Sequence, residues 1–79
     1  MMWLYSKHKL FNLDKVDQIQ VSKNTSTTGV YIVKDEEHYR IYDSSKEECQ
    51  KYLNLLAMHM STNPTIINHE DVVKGLGVE

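Results

Sequence analysis

Acidic side chains between residues 35 and 47 form the main charged cluster that could bind a partner. Asp35, Glu36 and Glu37 follow one another after an apolar run, and Asp43 and Glu47 come after the next apolar run. A surface cluster of carboxylates attracts a basic partner through complementary charge. The same side chains also suit a solvated turn and the first turn of a helix, where they oppose the helix dipole. The sequence leaves both interpretations open.

Residues that could support catalysis or bind a metal lack the required spacing. The four histidines, His8, His38, His59 and His69, show no i, i+4 pair, and a single cysteine excludes a C-x-x-C motif. Zinc binding and cysteine–histidine catalysis are therefore not expected. We expect no enzymatic activity, no cofactor and no metal, and we expect Cys49 to be a small buried hydrophobic residue.

Basic residues offer an alternative binding site near the start of the chain. Lys7, Lys9 and Lys15 could contact phosphates together with residues 22–29, a run of polar residues ending in a glycine. We interpret residues 22–29 as a mobile hairpin loop, with Gly29 supplying a positive φ. No Gly-rich phosphate-binding motif is present, and the net charge of the whole chain is −2. Nucleotide or nucleic-acid binding is therefore the alternative function, and not the first.

A well-capped helix is the clearest element behind these side chains. Ser45 and Glu48 have the spacing of a capping box, and Ser44 with Glu47 offers the same box one residue earlier. Apolar residues then recur at helical spacing as one stripe: Cys49, Tyr52, Leu53, Leu56, Ala57 and Met60. Asn63-Pro64 ends the pattern. The sequence predicts an amphipathic helix over about 45–60, centred on Leu53 and Leu56.

Short strands should form the surface on which this helix packs. Strand patterns cover residues 2–5, 17–21, 30–33 and 38–42, and the polar residues 34–37 form a turn between the last two. A single helical turn or bulge is expected at Leu13–Val16. Trp3 and Tyr5 share one face of the first strand. Tyr31, Val33 and Tyr42 should lie on the face of the hairpin away from the helix, where another element must cover them.

The last residues predict a short helix and contain more apolar side chains than a free tail would. Asn68 is a good N-cap for a helix over about 69–74. Many apolar residues surround it: Ile66, Ile67, Val72, Val73, Leu76 and Val78. They should pack either on the same chain or across a homodimer, and the sequence does not decide between the two.

Length and composition bound the class of protein. A chain of 79 residues with 41% hydrophobic and 25% charged residues is expected to form one small folded domain. No signal peptide and no membrane-spanning stretch is recognisable, so we expect a cytoplasmic protein without a membrane partner. One cysteine cannot form an internal disulfide.

Three segments together resemble a group of known small proteins. They are Met2–Ser6, the N-L-D-x-V turn at residues 12–16, and the junction from Tyr42 to Glu48. These segments are similar to small uncharacterised proteins of bacteria and their phages, which have a β-meander and one C-terminal helix. The resemblance covers about residues 1–60 and implies no catalytic residue. Some phage proteins of this kind inhibit host defence systems by binding them.

We therefore predict an α+β fold, with an antiparallel meander of about four strands, the 45–60 helix on one face and a short C-terminal helix. Residues 1–60 are predicted to form the domain, and residues 61–79 a C-terminal extension. The predicted function is non-enzymatic binding or regulation, with a phage-encoded inhibitor of a host protein as the sharper form. The predicted partner is another protein, a second copy of the chain, or both.

Overall fold

A computed structural model describes residues 1–6, 8–24 and 27–77, with the backbone alone for Asn24 and Thr27. Within these residues there are six strands, a 3-10 turn at Leu13–Lys15 and two helices. The strands are β1 (Trp3–Ser6), β2 (Lys9–Asn12), β3 (Gln18–Asn24), β4 (Thr27–Lys34), β5 (Glu37–Asp43) and β6 (Ile66–Asn68). The helices are α1 (Lys46–Ser61) and α2 (His69–Gly75). The predicted α+β class is confirmed, as are the long helix packed on a sheet and the short C-terminal helix.

The described strands form two three-stranded sheets, where the sequence predicted one meander of about four strands. The first sheet has the order β2-β1-β6 and the second β3-β4-β5. The 3-10 turn separates β2 from β3, so the N-terminal hairpin does not continue into the second sheet. Instead β1 pairs in parallel with β6, placing Trp3 beside Ile66 and Leu4 beside Ile67. The segment after Ser61 thereby adds a strand to the sheet that begins the chain.

The second sheet is an antiparallel meander whose last turn follows the predicted pattern. Asp35 and Glu36 have φ angles of 52° and 69°, as the two central residues of a tight hairpin turn require. The pairing shifts between Val30 and Tyr31, because β5 contains one extra residue there. Tyr42 consequently lies opposite Val30 on the helix side of the sheet. The prediction that Tyr42 faces away from the helix is wrong, since alternation alone cannot locate such a bulge.

Residues 22–29 are largely strand, and the prediction of a loop there is wrong. β3 runs to Asn24 and β4 begins at Thr27, with Ser22 beside Gly29 and Lys23 beside Thr28. Thr25 and Ser26 lie outside the described residues. Polar residues continue the ladder because backbone groups make its hydrogen bonds. A Cβ on Gly29 would lie 3.0 Å from Arg40 Cδ and from the Tyr42 carbonyl oxygen. Close packing, and not a positive φ, therefore accounts for this glycine.

Helix α1 begins where the capping pattern predicts. The Ser45 hydroxyl oxygen accepts a hydrogen bond from the Glu48 backbone N–H at 3.2 Å. The Glu48 carboxylate lies 3.6 Å from the Lys51 ammonium, an interaction within the helix surface. The buried face of α1 is narrower than the predicted apolar stripe. Cys49, Tyr52 and Leu56 are 0% exposed, whereas Leu53 is half-buried and Ala57 is exposed. Leu56, and not Leu53, is the centre of the helix packing.

The core lies between both sheets and both helices. Strands β1, β4 and β5 and the two helices contribute its fully buried side chains: Leu4, Val30, Ile32, Ile41, Cys49, Tyr52, Leu56 and Val72. Helix α2 begins at the predicted cap, where the Asn68 side chain accepts a hydrogen bond from the Glu70 N–H at 3.0 Å. Residues of the C-terminal segment therefore pack in the same core as the strands.

We predict that Leu56→Ala will lower the free energy of unfolding by about 2–5 kcal/mol, because it leaves a cavity in the core. Leu53→Ala is the matched control: the same atoms are removed one turn away, at a half-buried position, so the loss should be clearly smaller. Urea denaturation of both variants measures the difference. Equal losses would contradict the packing of α1 described above.

Candidate functional site

The outer face of the first sheet carries the main exposed apolar cluster among the described residues. Side chains alternate across a strand, so Leu4 and Ser6 point into the core while Trp3 and Tyr5 point outward. The register places Leu10 beside Tyr5 and Ile66 beside Trp3 on this outward side. Four apolar side chains from three strands thus share one surface, which we call the aromatic face: Trp3, Tyr5, Leu10 and Ile66.

The aromatic face is substantially open to solvent. Tyr5 is 40% exposed, Leu10 56% and Ile66 58%, while Trp3 is half-buried. The remaining cross-strand positions on this side are Asn12 and Asn68, so none of the described strand residues on the face is charged. Tryptophan and tyrosine are enriched at the centres of protein interfaces, where charged side chains are depleted. The composition is that of an interface core.

The second sheet does not have the uncovered apolar face that the sequence predicted. Tyr42 faces the helix, and Tyr31 is only 8% exposed although neither helix of the described residues covers its side of the sheet. Neighbours within the sheet bury Tyr31: its ring lies edge-on to that of His38, with centroids 6.4 Å apart, and it lies close to Gly29. The surplus apolar surface therefore lies on the first sheet.

The five acidic residues predicted to bind a partner lie in two groups. Asp35 and Glu36 form the turn before β5 and Glu37 begins that strand, whereas Asp43 ends it and Glu47 lies in the first turn of α1. Glu37 and Asp43 are the first and last residues of β5, and the six steps between them separate the groups by about 20 Å, at roughly 3.3 Å per residue. The residues therefore form two separate acidic groups at opposite ends of β5.

Two acidic side chains near the turn, Asp17 and Glu37, accept hydrogen bonds that stabilise the local structure. The Asp35 N–H donates to Asp17 Oδ2 at 3.0 Å, and the Tyr39 hydroxyl donates to Glu37 Oε2 at 2.5 Å. The bond to Glu37 raises the pKa of Tyr39 above its ordinary value of 10.0. Glu36, Asp43 and Glu47 are exposed.

The lysines of the alternative site are likewise separated. Lys7 lies outside the described residues, Lys9 begins β2, and Lys15 ends the turn that follows the other end of β2. Lys9 instead lines a cleft of about 350 Å³ between the sheets, which Lys34 also lines and Lys15 does not. Residues 22–24 and 27–29 belong to the second sheet. The spacing of Lys9 and Lys34 in the sequence does not predict that both line the same cleft.

Tyr52 and His69 form a buried polar contact that no sequence pattern predicted. The Tyr52 hydroxyl lies 2.6 Å from His69 Nδ1, joining α1 to the first residue of α2. The Tyr52 ring also stacks on that of Tyr42, with centroids 4.6 Å apart and ring planes 12° from parallel. Burial, and secondarily the neighbouring Tyr42, raises the pKa of Tyr52 well above its ordinary value of 10.0. This contact fastens the C-terminal segment to the main helix.

The single cysteine is buried, and the side chains that could bind a metal are not grouped together among the described residues. Cys49 is 0% exposed and its thiol donates to the Ser44 carbonyl oxygen at 3.6 Å. Burial raises the pKa of this thiol, which disfavours the thiolate. Within residues 1–6, 8–24 and 27–77, no three His, Cys, Asp or Glu side chains are grouped closely enough to hold a metal. No helix of that part of the chain is long and apolar enough to cross a membrane.

No protein-family model, curated protein or solved structure matches this chain. Its function must therefore be inferred from the geometry described above.

We predict that Tyr52→Phe will lower the free energy of unfolding by about 1–3 kcal/mol at neutral pH, because it removes the hydroxyl that contacts His69. The variant should also change the response to alkali. Folding keeps Tyr52 neutral, so above pH 10 an ionised Tyr52 favours the unfolded chain and stability falls as pH rises. A phenylalanine at this position cannot ionise, so the decline in the variant should be shallower.

Urea denaturation between pH 7 and the alkaline limit of folding measures both effects. Tyr5→Phe is the control, since it removes a hydroxyl at a residue that is 40% exposed. The role of Tyr52 would be refuted by identical pH profiles for Tyr52→Phe and Tyr5→Phe.

Proposed function

We propose that this protein is a non-enzymatic binding protein whose partner binds on the aromatic face. One observation carries the proposal: Trp3, Tyr5, Leu10 and Ile66 share an uncharged and largely exposed surface. A soluble protein rarely leaves a contiguous apolar surface of this kind without an interacting partner. The three strands hold these side chains in a fixed arrangement, so binding loses little conformational entropy.

A second copy of the chain is the simplest partner for this surface. Because none of the described strand residues on the aromatic face is charged, two copies could meet there without repulsion between like charges. Pairing about a two-fold axis would bury the same four residues on both chains. A different protein with a complementary apolar surface is the other partner that this face could bind.

We predict that Leu10→Lys will abolish association through the aromatic face, because it places a charge within the apolar contact, beside Tyr5 of the central strand. Met58→Lys is the matched control, since Met58 is 64% exposed and lies on α1. Sedimentation at tens of micromolar should show wild type and Met58→Lys associating and Leu10→Lys monomeric.

A photo-crosslinking amino acid tests for a different partner in cells. Placed at position 10, it should capture a protein that the same group at position 58 does not. A monomeric wild type, together with equal crosslinking at positions 10 and 58, would contradict the proposed function.

The acidic residues and the resemblance to phage proteins suggest what a foreign partner would be. An inhibitor of a host defence protein needs a surface that selects its target, and the acidic groups at either end of β5 would favour a basic one. In this form of the proposal, the aromatic face supplies affinity and one acidic group supplies selectivity.

We predict that reversing the charge of the acidic group that contacts the partner will weaken binding of the partner captured at position 10. Glu36→Lys tests the group before β5, and Glu47→Lys tests the group at the start of α1. Affinity measured at low and high salt should fall for one variant and become less sensitive to salt. If both variants bind as tightly as wild type, neither acidic group contacts the partner, and the proposal that acidic residues select a basic host protein is contradicted.

A further inference from the structure

The free edge of β2 has backbone groups available for another strand. β2 is at the end of the first sheet, and no strand of the described residues pairs with its far side. The Leu13 N–H donates to the Met2 carbonyl oxygen at 2.8 Å, which fixes the alternation of the β1–β2 ladder. By that alternation Phe11 bonds towards β1, whereas Leu10 directs its N–H and C=O away from the sheet.

A cleft lies along this edge, where side chains of an added strand would pack. All four residues of β2, from Lys9 to Asn12, line its near wall. Its far wall comes from Val16, Ile32 and Tyr39 of the neighbouring elements, and its volume is about 350 Å³. A strand added to β2 would direct alternate side chains into this cleft and the others towards the aromatic face. The cleft is large enough for one or two apolar side chains.

The charged side chains that line the cleft are basic. Lys9 and Lys34 line it, and no carboxylate of the described residues does. The adjoining cleft, of about 340 Å³, shares Lys9 and adds Arg40 and His38 to its lining. Two carboxylates lie beside this lining: Glu37 accepts the hydrogen bond from Tyr39, and Asp35 is also close enough to raise the Tyr39 pKa. An extended segment with acidic side chains beside its apolar ones would complement these walls.

We propose that the free edge of β2 binds an extended acidic segment of a partner protein as an additional strand. Backbone hydrogen bonds to Leu10 supply part of the affinity, the cleft accepts an apolar side chain, and Lys9 and Lys34 select acidic residues. This proposal uses the outward backbone groups of Leu10 and the cleft, whereas the proposed function uses the Leu10 side chain on the aromatic face. The two surfaces therefore adjoin at Leu10, but each can hold if the other fails. A short edge strand bearing a lysine can also serve simply to prevent unwanted pairing.

The test is selection of short random peptides by mRNA display on the full chain. We expect enriched peptides to be acidic with alternating apolar residues, and to bind in fluorescence anisotropy. Leu10→Ala and Leu10→Pro both remove the leucine side chain, but only proline removes the outward N–H, at an edge position where proline is tolerated. Leu10→Pro should therefore bind on the order of tenfold more weakly than Leu10→Ala.

Charge variants and a modified peptide complete the experiment. Lys9→Glu and Lys34→Glu should weaken binding and reduce its salt dependence, while Lys15→Glu, outside the cleft, should not. If Leu10→Pro does not fold, N-methylation of alternate peptide residues removes the companion hydrogen bonds, which peptide N–H groups donate to the outward Leu10 carbonyl oxygen, and should weaken binding in the same way. The proposal is overturned by no enrichment, by enrichment of basic or uncharged peptides, by equal binding of both Leu10 variants, or by single-stranded nucleic acid displacing the peptide.

Discussion

The parallel pairing of β1 with β6 is the contact on which the rest of the structure depends. An isolated two-stranded hairpin is marginally stable in water, and the N-terminal residues would form only that without β6. With β6 in place, β1 becomes the central strand of a sheet, and Leu4 and Ile67 lie side by side in the core. The Trp3 N–H also donates to the Thr65 carbonyl oxygen at 2.9 Å. The aromatic face is a product of this pairing, since Ile66 belongs to it.

Local sequence signals predicted the local structure well. The Ser45 cap, the Asn68 cap, the turn at Leu13–Lys15 and the tight turn before β5 each depend on a few neighbouring residues. Hydrogen bonds and steric limits within one turn determine such features, so the residue types are sufficient to locate them. The α+β class follows from the same signals, because it requires only the type of each element.

Strand register and the pairing of distant strands could not be predicted in this way. The bulge that turns Tyr42 towards Tyr52 is one extra residue in β5. A pattern of strict alternation does not reveal such a residue, so it places Tyr42 on the wrong face. Ile66 and Ile67 belong to the predicted C-terminal extension, although a β-branched run after Pro64 is also a strand signal. Without β6, the sequence could place Trp3 and Tyr5 on one face but could not add Ile66 to it. The sequence shows the acidic residues as one cluster, because they are close together in the chain. The extended length of β5 divides them into two groups in the structure.

The pairing of Trp3 with Ile66 also has a consequence for when the molecule can fold during its synthesis. The second sheet and α1 are continuous in the chain and can assemble as soon as they leave the ribosome. The first sheet cannot, because β1 must wait for β6, which lies about 60 residues later in the chain, and closing so long a loop is slow. Until then the apolar side chains of β1 are unprotected, and such transiently exposed surface is prone to aggregation. The surface proposed to bind partners would therefore form later than the second sheet and α1.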